Sequence, residues 1–238
     1  MAIEDSNSSK QHTLHFFDGE LEHLRALILA MLDLLISQLE QAIQALEDGD
    51  IKLASKVISR DNEVNHFEIK IDGEVQAVLA RHCPVANDLR AVIATSKMVV
   101  ELEKTGNEIA YCARMILMLL EPRTSVPNPK LLVDIVKMAH LIKDMIAKLK
   151  GDFTTGQSNL AYTLLRCDRD CEDELQEGIK HQLACLVQDV SLIGRTLYIL
   201  QIMKSLERCG EHCKNIAEYL IFMIDGIDVR HGRNALES

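Results

Sequence analysis

The 238-residue chain has no tryptophan, only 4 prolines and 11 glycines, and an aromatic content of 4%. Aromatic residues are enriched in β-strands, so their scarcity disfavours a β-sheet protein. An excess of positive charge is also lacking, since the formal net charge is −10. Proteins that bind nucleic acids neutralise phosphates with Lys and Arg, so this composition argues against a nucleic-acid partner.

Signals for secretion and for membrane insertion are also missing from the sequence. The first ten residues are polar, and the longest apolar stretch, residues 24–36, is interrupted by Arg25 and Asp33. It is shorter than the roughly 18 residues that a transmembrane helix needs. The chain has seven cysteines, an odd number, and no small secreted scaffold around them. We therefore expect a cytoplasmic protein in a reducing compartment.

What the sequence does contain is a seven-residue phrase that occurs twice. Residues 101–107, ELEKTGN, return as residues 205–211, SLERCGE, 104 positions later. A second pattern, spanning residues 53–64, returns at residues 160–171 with an offset of 107. Two independent matches at nearly one offset indicate an internal duplication.

Apolar residues recur at three- and four-residue spacings in both halves, which is typical of amphipathic helices. Breaks are expected at residues 48–50, 83–84, 151–152 and 189–191, so each half contains three long helical segments. Residues 121–129 hold three of the four prolines, which predicts a linker between the halves. The sequence thus predicts an all-α fold of two tandem, pseudo-symmetric, antiparallel three-helix bundles. The first repeat would be residues 1–121, the linker 122–129 and the second repeat 130–238.

Four pairs of acidic or amide side chains are spaced i,i+4, which places both members on one helix face. The pairs are Asp61/Asn65, Glu103/Asn107, Asp168/Glu172 and Glu207/Glu211. If neighbouring antiparallel helices bring two pairs together, the carboxylates repel each other unless a cation or a proton intervenes. Hard cations prefer several oxygen ligands. Such a pair alone is most often a solvated face, but its recurrence in both repeats favours a metal site.

Two other metal chemistries compete with this interpretation. Cys167/Cys171 and Cys209/Cys213 offer four thiols for zinc, but they occupy the apolar stripes, where free Cys behaves as a small hydrophobic residue. The patterns Glu20-x-x-His23 and Glu63-x-x-His66 are similar to ligands of di-iron helical bundles. Since neighbouring apolar residues take the inward positions, this geometry is disfavoured. A metal-dependent redox or metal-storage bundle is the alternative function.

Three motifs together resemble the PhoU family of phosphate transport accessory proteins. They are the Glu-[Lys/Arg]-x-Gly phrase in both halves, the segment 84–90 (PVANDLR) followed by Lys97, and the segment 226–231 (GIDVRH). The resemblance covers roughly residues 16–231.

This resemblance implies a cytoplasmic regulator that is not an enzyme and that self-associates as a homodimer. Its implied partners are the ATPase of the phosphate ABC transporter and a membrane sensor histidine kinase, with membrane association only through these partners. Its implied role is to keep the phosphate-starvation response repressed when phosphate is plentiful. It also implies metal clusters at the four pairs given above.

The chain departs from the family pattern at two of these positions. Position 107 is Asn where the family usually has Asp, and position 211 is Glu, which is longer by one methylene. The first site therefore offers two carboxylates and two amides, whereas the second keeps four carboxylates. An amide brings no charge, so we expect the second site to bind metal more tightly. Oxygen ligands admit iron, manganese, magnesium, calcium or zinc, and the metal stays open.

Overall fold

The computed structural model describes residues 4–121, 129–166 and 170–230. Within these ranges the chain forms eight α-helices and one 3₁₀ turn, Val190–Leu192, and no strand. The helices are α1 (Glu4–Asp48), α2 (Ile51–Ser59), α3 (Asp61–His82), α4 (Ala86–Leu120), α5 (Pro129–Thr155), α6 (Asn159–Arg166), α7 (Asp170–Gln188) and α8 (Ile193–Asp225).

The helices form two antiparallel bundles, which confirms the predicted fold class. The first bundle contains α1, the α2–α3 pair and α4, and the second contains α5, the α6–α7 pair and α8. The middle element of the first bundle is divided after Ser59, and that of the second is described as α6 up to Arg166 and α7 from Asp170. The Asp50 carboxylate caps α2 by accepting hydrogen bonds from the backbone N–H groups of Lys52 and Leu53, as expected for an N-cap residue.

One predicted helix break was wrong. Residues 151–152 continue α5, which ends only at Thr155, and the turn follows at Gly156 with φ 68°. Asp152 is buried, and its carboxylate accepts a hydrogen bond from the backbone N of Ala161 at 2.6 Å. Asp152 is therefore a buried residue of α5 whose side chain stabilises the start of α6, and it does not lie in a loop. The proline-rich segment 122–128 lies outside the described residues.

The two bundles share a central layer of four helices. Helix α4 packs against α8, and α1 packs against α5, while α2–α3 and α6–α7 lie on the two outer sides. The α4–α8 pair is antiparallel, since the Cys112 thiol contacts the Ile202 carbonyl and the Cys209 thiol contacts the Thr105 carbonyl. The repeated phrase therefore crosses its own copy at the centre of the molecule.

Helix α1 has the composition of a possible membrane span. Between Gly19 and Asp48 it contains an 18-residue window of mean hydropathy 1.6, although 56% of that window is buried inside the fold. A core helix of a soluble protein has the same character. Here Ile28, Met31 and Leu35 are almost fully buried in the common core.

Candidate functional site

Two helix contacts carry the predicted ligands. We name the α3–α4 contact the first seam and the α7–α8 contact the second seam. A Cβ atom on Gly106 would lie 2.8 Å from Val64 Cγ1, and a Cβ atom on Gly210 would lie 3.0 Å from Cys171 Sγ. The sequence left close helix approach or ligand access as reasons for these glycines, and the contacts assign them to close approach.

The first seam brings its four predicted residues to one strip of surface. Since Val64 lies against Gly106, the next residues, Asn65 and Asn107, lie on the same side of the contact and differ in height by about 3 Å. Asp61 and Glu103 lie one turn away in opposite directions, because α3 and α4 are antiparallel, so these two residues stand at opposite ends of the strip and do not converge as the sequence predicts. The Asn107 side-chain amide donates a hydrogen bond to Glu103 Oε1 at 2.5 Å. One Glu103 oxygen is thus already engaged within its own helix.

Buried oxygen atoms distinguish the α3 side of the first seam. Asp61 Oδ1 and Asn65 Oδ1 are both buried and have no hydrogen-bond partner in the described part of the chain. Burial raises the pKa of Asp61, and the positive charge of Arg114 on α4 partly offsets that rise. Unpartnered buried oxygens are uncommon and call for a donor or a cation.

Two residues of the first seam were missed by sequence reasoning. Burial raises the pKa of Glu68, and the negative charges of Glu103 and Asp72 raise it further. Glu68 therefore lies near Glu103, while Arg114 lies towards Asp61. Arg114 follows Asn107 by seven residues, which is two helical turns and places both residues on the same face of α4. This spacing could have indicated from the sequence that Arg114 belongs to the first seam.

The second seam presents carboxylates at the matching place. Cys171 lies against Gly210, so Glu172 and Glu211 lie on the same side of the contact and differ in height by about 3 Å, and both are exposed. Glu207 is partly buried and accepts a hydrogen bond from Lys204 Nζ at 2.7 Å. Asp168, the fourth predicted residue, lies outside the described residues.

The donor sets of the two seams suit a hard cation to different degrees. The second seam offers the exposed Glu172 and Glu211 carboxylates, with Glu207 one helical turn before Glu211 on α8, and carboxylate oxygens are suitable ligands for a divalent cation. The first seam offers two amides on the same side of its contact, and one of them already bonds Glu103. Across the described ranges, no three His, Cys, Asp or Glu side chains are grouped closely enough to hold a metal by themselves.

The competing metal chemistries find little support in the contacts. Cys209 and Cys213 are completely buried, and burial raises the pKa of both thiols well above its usual value, which disfavours thiolate ligation. Cys167 lies outside the described residues. Glu20 forms ion pairs with Arg81 and His82 instead of pointing into a bundle.

A buried polar network joins the two bundles where the repeated phrases cross. Glu101 is 7% exposed and accepts hydrogen bonds from His212 Nδ1 at 2.8 Å, Asn215 at 2.9 Å and Lys104 at 2.8 Å. Burial alone would raise the pKa of Glu101, but these hydrogen bonds outweigh it and lower the pKa to about 2. Sequence analysis did not identify this network.

The duplication repeats this contact with different residues. Ser205 and Glu108 occupy the positions equivalent to Glu101 and His212, each displaced by 104 positions. The Ser205 hydroxyl donates to Glu108, which also accepts a hydrogen bond from Arg208 at 3.0 Å. A pseudo-twofold axis therefore passes between α4 and α8, and it relates the two seams.

Comparisons with known proteins agree with this architecture. The family model described as PhoU domain matches residues 28–116 and again residues 135–220. The chain is 34% identical, over 95% of its length and 93% of the relative's, to a phosphate-specific transport system accessory protein PhoU homolog of Pseudomonas aeruginosa. It is 29% identical, over 95% and 92%, to the phosphate-specific transport system accessory protein PhoU of Escherichia coli.

Solved structures resemble the fold over nearly all of the chain. The crystal structure of PhoU from Pseudomonas aeruginosa matches with a TM-score of 0.82 and 33% identity, and covers 89% of this chain and 100% of that one. The phosphate transport system regulatory protein PhoU from Streptococcus pneumoniae matches with a TM-score of 0.79 and 25% identity, and covers 90% and 99%. With both halves matched by the family model and the whole architecture shared, this chain belongs to the PhoU family.

Proposed function

We propose that the protein is a cytoplasmic regulatory adaptor of phosphate homeostasis. It couples the ATPase of the phosphate ABC transporter to a membrane sensor histidine kinase and represses the phosphate-starvation response when phosphate is plentiful. It acts by docking and not by catalysis, it self-associates as a homodimer, and it reaches the membrane only through its partners. Membership of the PhoU family across both halves carries this proposal.

The metal-dependent part of the proposal concerns the second seam. Glu172 and Glu211 are exposed and directly follow Cys171 and Gly210, which pack against each other, and neither forms an ion pair within the described residues. Two like charges on the same side of a contact disfavour each other, and a divalent cation removes this repulsion. These two carboxylates would bind the cation, the negative charges of Glu207 and Asp168 would add to its attraction, and the bound cation would change the charge of the surface offered to a partner.

A genetic experiment in the native host tests the regulatory role. Deletion of the gene is expected to switch on a reporter of the phosphate-starvation response during growth in high phosphate, and the wild-type gene restores repression. If the reporter stays off after deletion, the regulatory proposal is wrong. Capture of the transporter ATPase and the kinase by the tagged wild-type chain checks the two partners directly.

The role of the second seam is tested by complementation with charge variants. The double variant Glu172→Gln/Glu211→Gln keeps side-chain size but removes both charges, and we expect it to restore repression incompletely. Glu47→Gln is the matched control, because Glu47 is an exposed carboxylate on α1, away from both seams. Full repression by the double variant, with a protein level equal to the control, would exclude a regulatory role for these carboxylates.

A further inference from the structure

Large apolar side chains are exposed at the turn that joins α7 to α8. Five aliphatic residues at this turn are between 52% and 86% exposed, and we name them the turn patch. They are Leu183 and Val187 near the end of α7, Val190 in the turn, and Ile193 and Leu197 at the start of α8. Exposed apolar side chains that cluster in this way mark an interaction surface, whereas single ones need no explanation.

The packing of α7 against α8 brings these side chains together. Gly178 on α7 packs against Met203 on α8, and the two helices are antiparallel. Moving five residues along α7 to Leu183 therefore corresponds to moving five residues back along α8 to residue 198, next to Leu197. One helical turn farther, the other two helical residues of the patch lie opposite each other in the same way, and Val190 completes the surface at the turn.

Both helices present the turn patch on the outer face of the second seam. Leu183 follows Glu172 by eleven residues, which is three helical turns, and Ile193 precedes Glu211 by eighteen residues, which is five turns. Residues at these spacings share one face of a helix. The patch is therefore a continuous apolar surface, and it begins about 16 Å from Glu172 along α7.

The first bundle does not repeat this surface. The positions equivalent to the two α7 residues of the patch, 107 residues earlier, are Gln76 and Ala80. The positions equivalent to its two α8 residues, 104 residues earlier, are Leu89 and Ile93, which are only 38% and 37% exposed. The shared bundle fold therefore does not require an apolar surface at this turn, and the patch is specific to the second bundle.

We infer that the turn patch is the surface through which two copies of this chain associate. This inference rests on the proposed function, which includes a homodimer. The patch exposes on the order of 500 Å², near the upper end of the roughly 300 to 600 Å² that the largest apolar patch of a monomer covers. Two copies joined through it would bury on the order of 1,000 Å², the area at which specific interfaces begin. Removal of this apolar surface from water drives the association.

The charge distribution favours a second copy as the occupant. The net charge of the chain is −10, so two copies repel each other over most of their surfaces. Residues 183–197 contain one acidic and one basic residue, Asp189 and Arg195, and their charges sum to zero. In a twofold contact both copies contribute the same patch, so the apolar side chains meet without a net repulsion between like charges.

This contact fixes the arrangement of the dimer. Because α4 and α8 are antiparallel, the α3–α4 turn lies at the opposite end of the molecule from the turn patch. The two second bundles are therefore at the centre of the dimer, and the α3–α4 turns of the first bundles point away from it. Surfaces of the first bundle stay available for other partners.

Sedimentation velocity over a range of protein concentrations tests the inference with the full chain. The patch variant is Val187→Lys/Val190→Lys, and the matched control is Ile69→Lys/Val85→Lys, which changes two residues of the first bundle that are 71% and 73% exposed. Both variants change the net charge equally, and circular dichroism checks that both are folded. The wild type and the control are expected to be dimers. The patch variant should raise the Kd of the dimer by about a hundredfold or more, because a twofold interface contains each substitution twice.

Two results would overturn the inference: a wild type that stays monomeric at every concentration, or a patch variant that dimerises as tightly as the control. A patch variant that stays dimeric but no longer captures the transporter ATPase would assign the surface to that partner and overturn it as well. The reporter of the phosphate-starvation response separates the inference from the proposed function. A monomeric wild type that restores repression leaves the regulatory role intact and removes the dimer surface. A patch variant that dissociates, in a host whose reporter stays off after gene deletion, supports the surface while the regulatory role fails.

Discussion

Gly106→Ala should destabilise the protein, although alanine is the better helix former. A Cβ atom at this position would lie 2.8 Å from Val64 Cγ1 and 3.3 Å from Leu35 Cδ2. Val64 is β-branched and sits inside α3, so its χ1 angle has little freedom to move the methyl groups away. Relief requires α3 and α4 to separate, and this displaces the residues of the first seam.

The magnitude follows from two opposing effects. Replacing Gly by Ala inside a helix gains about 1 kcal/mol, whereas overpacking a well-filled contact costs about 1 to 3 kcal/mol. We expect a net loss of about 1 kcal/mol for Gly106→Ala. Gly73 is the matched control, because it lies inside α3 with nothing within 4 Å of its Cβ position. Gly73→Ala should gain about 1 kcal/mol.

Thermal unfolding of the two variants and the wild type checks this reasoning. For a chain of this size, 1 kcal/mol corresponds to about 2 to 4 °C in Tm. The difference of about 2 kcal/mol between the variants should therefore separate their Tm values by about 4 to 8 °C. If Gly106→Ala is as stable as Gly73→Ala, then Gly106 is not needed for close helix approach, and the packing argument for the repeated glycine is refuted.

Three further predictions follow from other contacts. Since the pKa of Glu101 is lowered to about 2, its contribution to stability is present above its usual pKa near 4.5 and is lost as pH falls towards 2. Acid unfolding of Glu101→Gln should therefore depend less on pH in that range than acid unfolding of the wild type, and equal pH dependence would contradict this. Arg90 donates hydrogen bonds to the carbonyls of Met223 and Ile224 at the end of α8, so Arg90→Ala should lower the free energy of urea unfolding by about 1 to 2 kcal/mol, and an unchanged midpoint would refute it. A thiol reagent should modify exposed Cys83 in the native protein but reach buried Cys209 only on unfolding, which peptide mass spectrometry after brief labelling can check.

The repeat was visible in the sequence because both copies keep residues with the same structural task. Gly106 and Gly210 allow close helix contact, and the apolar stripes around them form the core. Such constraints act within one helix or between neighbouring helices, so they produce residue patterns with a regular spacing in the sequence. The fold class and the helix contact at each repeated glycine could be predicted for this reason.

Contacts between distant helices could not be predicted in the same way. The bonds from Glu101 to His212 and Asn215 depend on the register of α4 against α8, which no local spacing encodes. Asp152 resembled a helix breaker in the sequence, yet it is buried and bonds the backbone of Ala161. In both cases the structural role of a polar residue depends on a hydrogen-bond partner that is distant in the sequence and is identified only by the tertiary structure.

The central four-helix layer also limits how a cation can change the behaviour of the protein. Glu101 and Thr105 on α4 and Ser205 and Cys209 on α8 are buried where the lobes meet, and breaking a buried hydrogen-bonded charge pair costs several kcal/mol. The second seam lies outside this interface, so a cation there would not contact it directly. Reorienting one bundle against the other would cost the free energy of breaking the buried hydrogen bonds. A local change in surface charge requires no such rearrangement. We therefore expect a cation at the second seam to act on a partner through charge at its own surface, and the binding of that partner should depend on salt as well as on metal.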